Sequence, residues 1–98
     1  MRVTLPHNHA KAEIRRRLDA RSHEIVDYFP PGMANLEREW QGDDRMDFVV
    51  GVVGQRIGGS VEIAENHVVI TVELPMILSF LRGTIEQSVK KEGMRLLR

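Results

Sequence analysis

The chain has 98 residues, 42% of them hydrophobic and 29% charged, and no cysteine. That length suits one α+β domain over 1–98 with one core and little interior left for a deep private pocket. The missing cysteines exclude disulfides and thiolate zinc sites, and no run approaches the ~20 apolar residues of a membrane span. The opening residues lack the apolar run of a signal peptide, so a cytoplasmic location is expected.

The formal net charge is zero, but the charge is unevenly placed. Residues 1–23 carry six Lys/Arg against two acids, residues 24–74 three against ten, and residues 75–98 five against two. Two basic segments therefore flank an acidic middle. Complementarity within one molecule is the plain reading, and a basic face for an acidic partner the sharper one.

Val3 and Leu5 alternate in a short first strand, which Pro6 ends. Asn8 is placed to cap a helix, because its side-chain oxygen can accept from a free amide of the first turn. The helix is expected over 10–29, with Ile14, Leu18, Ile25, Val26 and Phe29 on one stripe. Pro30-Pro31-Gly32 stops it. Residues 34–41 form a second strand, with Leu36, Arg38 and Trp40 on one face. Gly42-Asp43-Asp44 is a turn. Met46, Phe48, Val50 and Val52 alternate as a third strand, with Val49 and Val53 on its other face.

Gly54 breaks that run, and Ile57, Val61 and Ile63 alternate in a fourth strand. Its Gly58-Gly59 marks either a bulge or a close approach of backbone. After a turn at Glu65-Asn66, Val68, Ile70, Val72 and Leu74 form the inner face of a fifth strand. Pro75 then suits the first turn of a helix. Ile77, Leu81, Ile85 and Val89 recur at fours and predict one apolar stripe. Gly83 interrupts it, and Thr84-Ile85-Glu86-Gln87 fits a capping box. Either one helix runs over 76–97, or a short turn over 76–82 precedes a helix from 84; the capping signature favours the second. The order β-α-β-β-β-β-α predicts a curved antiparallel sheet packed against two helices, a miniature helix-grip arrangement.

No catalytic constellation emerges, and no cofactor or metal is expected. His7 and His9 lack a nearby third ligand in sequence. Asp43, Asp44 and Asp47 lack the spacing of a calcium loop. The run Gly51–Gly59 has neither a phosphate-loop Lys-Ser/Thr nor G-x-G-x-x-G. Lys11, Arg15, Arg16, Arg17 and Arg21, like Lys90, Lys91, Arg95 and Arg98, are able to reach phosphates. A neutral total and 5% aromatics argue against nucleic acid.

Several stretches together resemble a known family: Trp40-Gln41-Gly42-Asp43, Phe48, Gly58-Gly59-Ser60-Val61-Glu62-Ile63, the strand over 68–74, and Phe80 followed by Ile85-Glu86 and a basic helix. The opening strand with His7 and His9, and the Arg-rich helix with Ala10 and Arg17, fit as well. The chain resembles the small polyhydroxyalkanoic acid system proteins of bacteria, described as granule-associated. The loop over 29–33 and Pro75-Met76 depart from that pattern. The resemblance implies a non-enzymatic accessory role in polyhydroxyalkanoate storage and supplies no catalytic residue.

One curved sheet cannot bury every apolar residue on one face. Met76, Ile77, Leu78, Phe80 and Leu81 are therefore the candidate interaction surface. The expected partners are a second copy, forming a homodimer, and the storage polymer or a granule protein. A lipid- or acyl-binding module, with its ligand between sheet and last helix, is the alternative. RNA or ribosome binding ranks last.

Overall fold

The computed structural model describes residues 1–24, 32–52 and 54–98. Its elements are β1 (Arg2–Pro6), α1 (Lys11–Arg21), β2 (Ala34–Gln41), β3 (Arg45–Val52), β4 (Gln55–Ile63), β5 (His67–Glu73), a 3-10 helix (Met76–Leu81) and α2 (Arg82–Leu97). The expected α+β order of elements is the observed one, with the 3-10 helix inserted before α2. The expected helical residues Ile25, Val26 and Phe29, the stop at Pro30-Pro31, and Val53 lie outside the described residues.

The sheet has the order β1-β5-β4-β3-β2, and every neighbouring pair is antiparallel. β1 and β2 thus point the same way at opposite edges. The connection through α1 crosses the width of the sheet, and the meander β2 to β5 brings the chain back beside β1. Gly42 turns β2 into β3 with φ of 74°, a left-handed conformation that costs glycine nothing.

The registers put Val3, Leu5, Met46, Val61, Ile63 and Val68 on one face. Ile14 and Leu18 of α1 and Leu97 of α2 join those residues in a single buried cluster. Both helices therefore cover the same face. Among the described residues the opposite face is polar, with Arg45, Asp47, Glu62 and Thr71 on it and Val49 and Val69 as half-buried apolar exceptions.

α1 is held by this cluster more than by its ion pairs. Ile14 is fully enclosed, and truncating such a residue costs about 2–5 kcal/mol. An exposed ion pair contributes about 0–1 kcal/mol.

Two expected caps are not used. α1 begins at Lys11 after Ala10, with no side-chain cap. Asn8 lies two residues earlier, because His7 and His9 bind the chain to other segments there. α2 begins at Arg82 after Leu81, again without a side-chain cap. Thr84 is already helical because the 3-10 turn runs straight into α2. Gly83 therefore sits inside the first turn of α2 rather than breaking it.

Of the two glycines of β4, Gly59 marks a close approach of backbone and Gly58 does not. β4 pairs without interruption on both sides, so there is no bulge. A Cβ at Gly59 would overlap the Thr71 carbonyl oxygen and the Phe48 ring. A Cβ at Gly93 would overlap Leu5 Cδ1, so α2 rests directly on β1 at that point. Gly83 has open space around its Cβ position.

Opposite outcomes are expected at two of these glycines. Gly59→Ala should destabilise by about 1–3 kcal/mol through overpacking, whereas Gly83→Ala should stabilise by about 0.5–1 kcal/mol through helix propensity. Urea unfolding of the two variants against the parent checks both signs.

Candidate interaction surface

The 3-10 helix follows β5 at the end of the sheet where β1 starts. β5 runs against β1, so Thr71 pairs with Arg2 and His67 with Pro6. That same end carries the β3–β4 turn and the start of β2, since Val52 pairs with both Gln55 and Ala34.

The winding of this helix sets which side chains face outward. A 3-10 helix repeats every three residues, so positions i and i+3 share a side. Ile77 and Phe80 form one such pair, 68% and 77% exposed. Leu78 and Leu81 form the next, and both are half-buried. On the third side lie Met76, 90% exposed, and Ser79, also exposed. The expected stripe at fours put Ile77 with Leu81, Ile85 and Val89. Leu81, Ile85 and Val89 are half-buried, but the tighter winding turns Ile77 away from them. Leu78 N–H donates to the Pro75 carbonyl at 2.9 Å, which fixes the start of that winding.

The far end of α2, away from these residues, is tied down. His9 Nε2 donates to the Leu97 carbonyl at 3.0 Å. Arg17 Nη1 donates to the carbonyls of Leu96 and Arg98 at 2.9 and 2.8 Å. These bonds satisfy carbonyls that a helix C-terminus leaves open, and the guanidinium charge suits that end of the helix dipole. With both Nη1 protons so used, His9 Nε2 is left as the donor to Leu97.

The remaining candidates of the sequence are engaged within the molecule. His7 is buried; its Nε2 donates to the Ala64 carbonyl at 2.9 Å and its Nδ1 accepts from the His9 amide at 3.1 Å. Neither histidine sits in a group of three or more potential metal ligands among the described residues. Asp44 pairs with Lys11 at 3.2 Å, Asp43 with Arg15 at 3.1 Å, and Asp47 with Arg45 at 2.9 Å. Arg15 also stacks over Trp40, 4.3 Å from the ring centroid, and the Trp40 indole N–H donates to Asp19.

The basic helix α1 therefore meets the acidic turn after β2 inside one chain. Arg16 and Arg17 both donate to Glu13. The Arg16 hydrogen bonds, then those of Arg17, hold the Glu13 carboxyl down at about 2 from an ordinary 4.5.

Sequence reasoning missed the tie between Arg17, His9 and the end of α2. Arg17 has an acid four residues before it in Glu13, so its sequence context reads as an ordinary helix pair. The partners are backbone carbonyls 79 and 81 residues away, which no pattern of side chains announces.

These features define a small α+β protein that offers an exposed apolar segment. The histidines and aspartates that the sequence singled out, His7, His9, Asp43, Asp44 and Asp47, are each bonded within the chain. A family model described as "Putative polyhydroxyalkanoic acid system protein" matches residues 1–97. The chain belongs to that family, as its resemblance implied. Neither a curated protein nor a solved structure matches it significantly. Among the described residues, no helix is long and apolar enough to cross a membrane.

Glu13 makes one outcome specific. Its folded pKa lies below its unfolded value, so its contribution is present above about pH 4.5 and is lost as pH falls towards about 2. The melting temperature should fall through that window, and Glu13→Gln should remove that part of the fall. Thermal melts of parent and variant from pH 6 to pH 2 compare the two slopes. Arg17→Met should cost about 1–3 kcal/mol and speed amide exchange in the last turn of α2, read by hydrogen-exchange mass spectrometry.

Proposed function

We propose that this chain is a non-enzymatic accessory protein of polyhydroxyalkanoate storage. It works in the cytoplasm on granules or on their assembly, through the apolar side chains of the 3-10 helix. Family membership supports the storage context. The observation that carries the reading is the exposure of Met76, Ile77 and Phe80 on a chain whose core is already complete without them.

Burying a large apolar side chain contributes about 1.5–3 kcal/mol, so three of them supply enough for reversible attachment once association costs are met. Leu78 and Leu81, half-buried beneath, anchor the segment to the fold. A homodimer through the same residues is the competing occupant, and it would show as a concentration-dependent mass in solution. The acyl-binding alternative gains nothing from the interior: α2 lies directly on β1 at Gly93, where an acyl chain would have to pass. RNA binding loses its basis in α1, whose Lys11, Arg15, Arg16 and Arg17 are all bonded within the chain.

Fractionation of polymer-accumulating cells tests the reading. A tagged parent should travel with the granules. The double variant Ile77→Ser/Phe80→Ser should move to the soluble fraction while its folding stability stays within about 0.5 kcal/mol of the parent. A parent absent from the granule fraction, with polymer content unchanged on deletion, contradicts it.

A further inference from the structure

We infer that the exposed apolar segment seats on an anionic lipid layer, with Met76, Ile77 and Phe80 entering its apolar zone and nearby cations meeting its headgroups. This rests on the proposed function and names the occupant of the same surface.

Three observations favour such a layer over a second copy or a protein groove. The first is area. At 90%, 68% and 77% exposure, the three side chains offer roughly 500 Å², below the ~800 Å² per partner of a stable protein interface. An interfacial segment needs no such area, since a few inserted apolar side chains and charge attraction suffice.

The second is shape. The three residues project from a six-residue helix at the end of the sheet. Met33, 44% exposed, lies at that same end, just before β2. Apolar side chains from two remote parts of the chain thus share one end of the molecule. The opposite end carries the ion-paired turn after β2 and the tied C-terminus of α2. Apolar side chains that stand out from the end of a fold suit a flat, deformable surface better than a fitted groove.

The third is charge. Glu73 is exposed at the end of β5, but the chain from Pro75 to Ile85 holds no acid and one cation, Arg82. Further along α2, Glu86 and Glu92 are already bonded to Lys90 and Arg95. Arg82 remains outside those pairs, and Arg2 is exposed at the start of β1, at this same end. Anionic headgroups complement this balance, while a plain apolar surface would leave it without a role.

The test is co-sedimentation of the purified full chain with vesicles of phosphatidylcholine alone and of phosphatidylcholine with phosphatidylglycerol at 7:3. Lipid-free polyester particles form a third arm. Binding is expected only on the phosphatidylglycerol vesicles, and it should weaken as salt rises from low to physiological. Phe80→Ser should lower the bound-to-free ratio about tenfold, and Arg2→Gln/Arg82→Gln should bring it towards that on phosphatidylcholine. Circular dichroism confirms that each variant is folded.

No binding to the anionic vesicles overturns the inference. So does binding that Phe80→Ser leaves unchanged, equal retention on lipid-free polyester, or a concentration-dependent dimer that Phe80→Ser dissolves. A chain found on granules in cells but indifferent to vesicles would retain the proposed function and lose this inference. Vesicle binding without granule association would do the reverse.

Discussion

The bonds from Arg17 and His9 to the last carbonyls of α2 fix where that helix must end. The sixteen residues of α2 span roughly 24 Å, comparable to the strands beneath. A helix tied at the His9 end of β1 therefore starts near the opposite end, beside the last residues of β5. The short apolar connection has no place on the sheet face, because α2 and α1 already occupy it. It winds as a 3-10 helix past the sheet's end, where three of its five apolar side chains meet solvent. The exposed surface is thus a consequence of how the core closes.

The same closure explains the charge distribution. The crossover from β1 to β2 carries α1 over the sheet and sets its basic side chains against the acidic turn after β2. Lys11 and Arg15 are satisfied there, and Arg16 and Arg17 by Glu13 of the same helix. Individually such exposed pairs contribute little. Together they leave α1 without cations to offer a phosphate backbone, which the bare sequence could not exclude.

Much of the fold was legible because strand periodicity survives tertiary context. The alternations through Met46–Val52 and Val68–Val72 named the inner face correctly, and Gly42-Asp43-Asp44 marked its turn. The caps were less legible. Asn8 and Thr84 have capping chemistry, but His7 and His9 claim the first junction and a continuous 3-10-to-α transition the second. Propensity names what a residue can do, and neighbours decide whether it does it. The candidate surface was legible as a surplus of apolar residues. Its arrangement was not, because a count at fours presumes an α-helix. A repeat of three separates Ile77 from Leu81 and pairs it with Phe80. Contacts such as Arg17 to Leu96 join distant backbone, so no local pattern could predict them.

The central claim is that a folded, single copy of this chain presents its 3-10 helix to solvent and covers it only on its target. Peroxide oxidation followed by mass spectrometry reads this directly, since Met76 is 90% exposed and Met46 only 3%, and oxidation follows exposure. The account predicts that Met76 of the purified protein oxidises fastest, that Met46 stays slow, and that Met76 becomes protected on isolated granules. Slow oxidation of Met76 in the purified protein, or equal rates on and off granules, would contradict it.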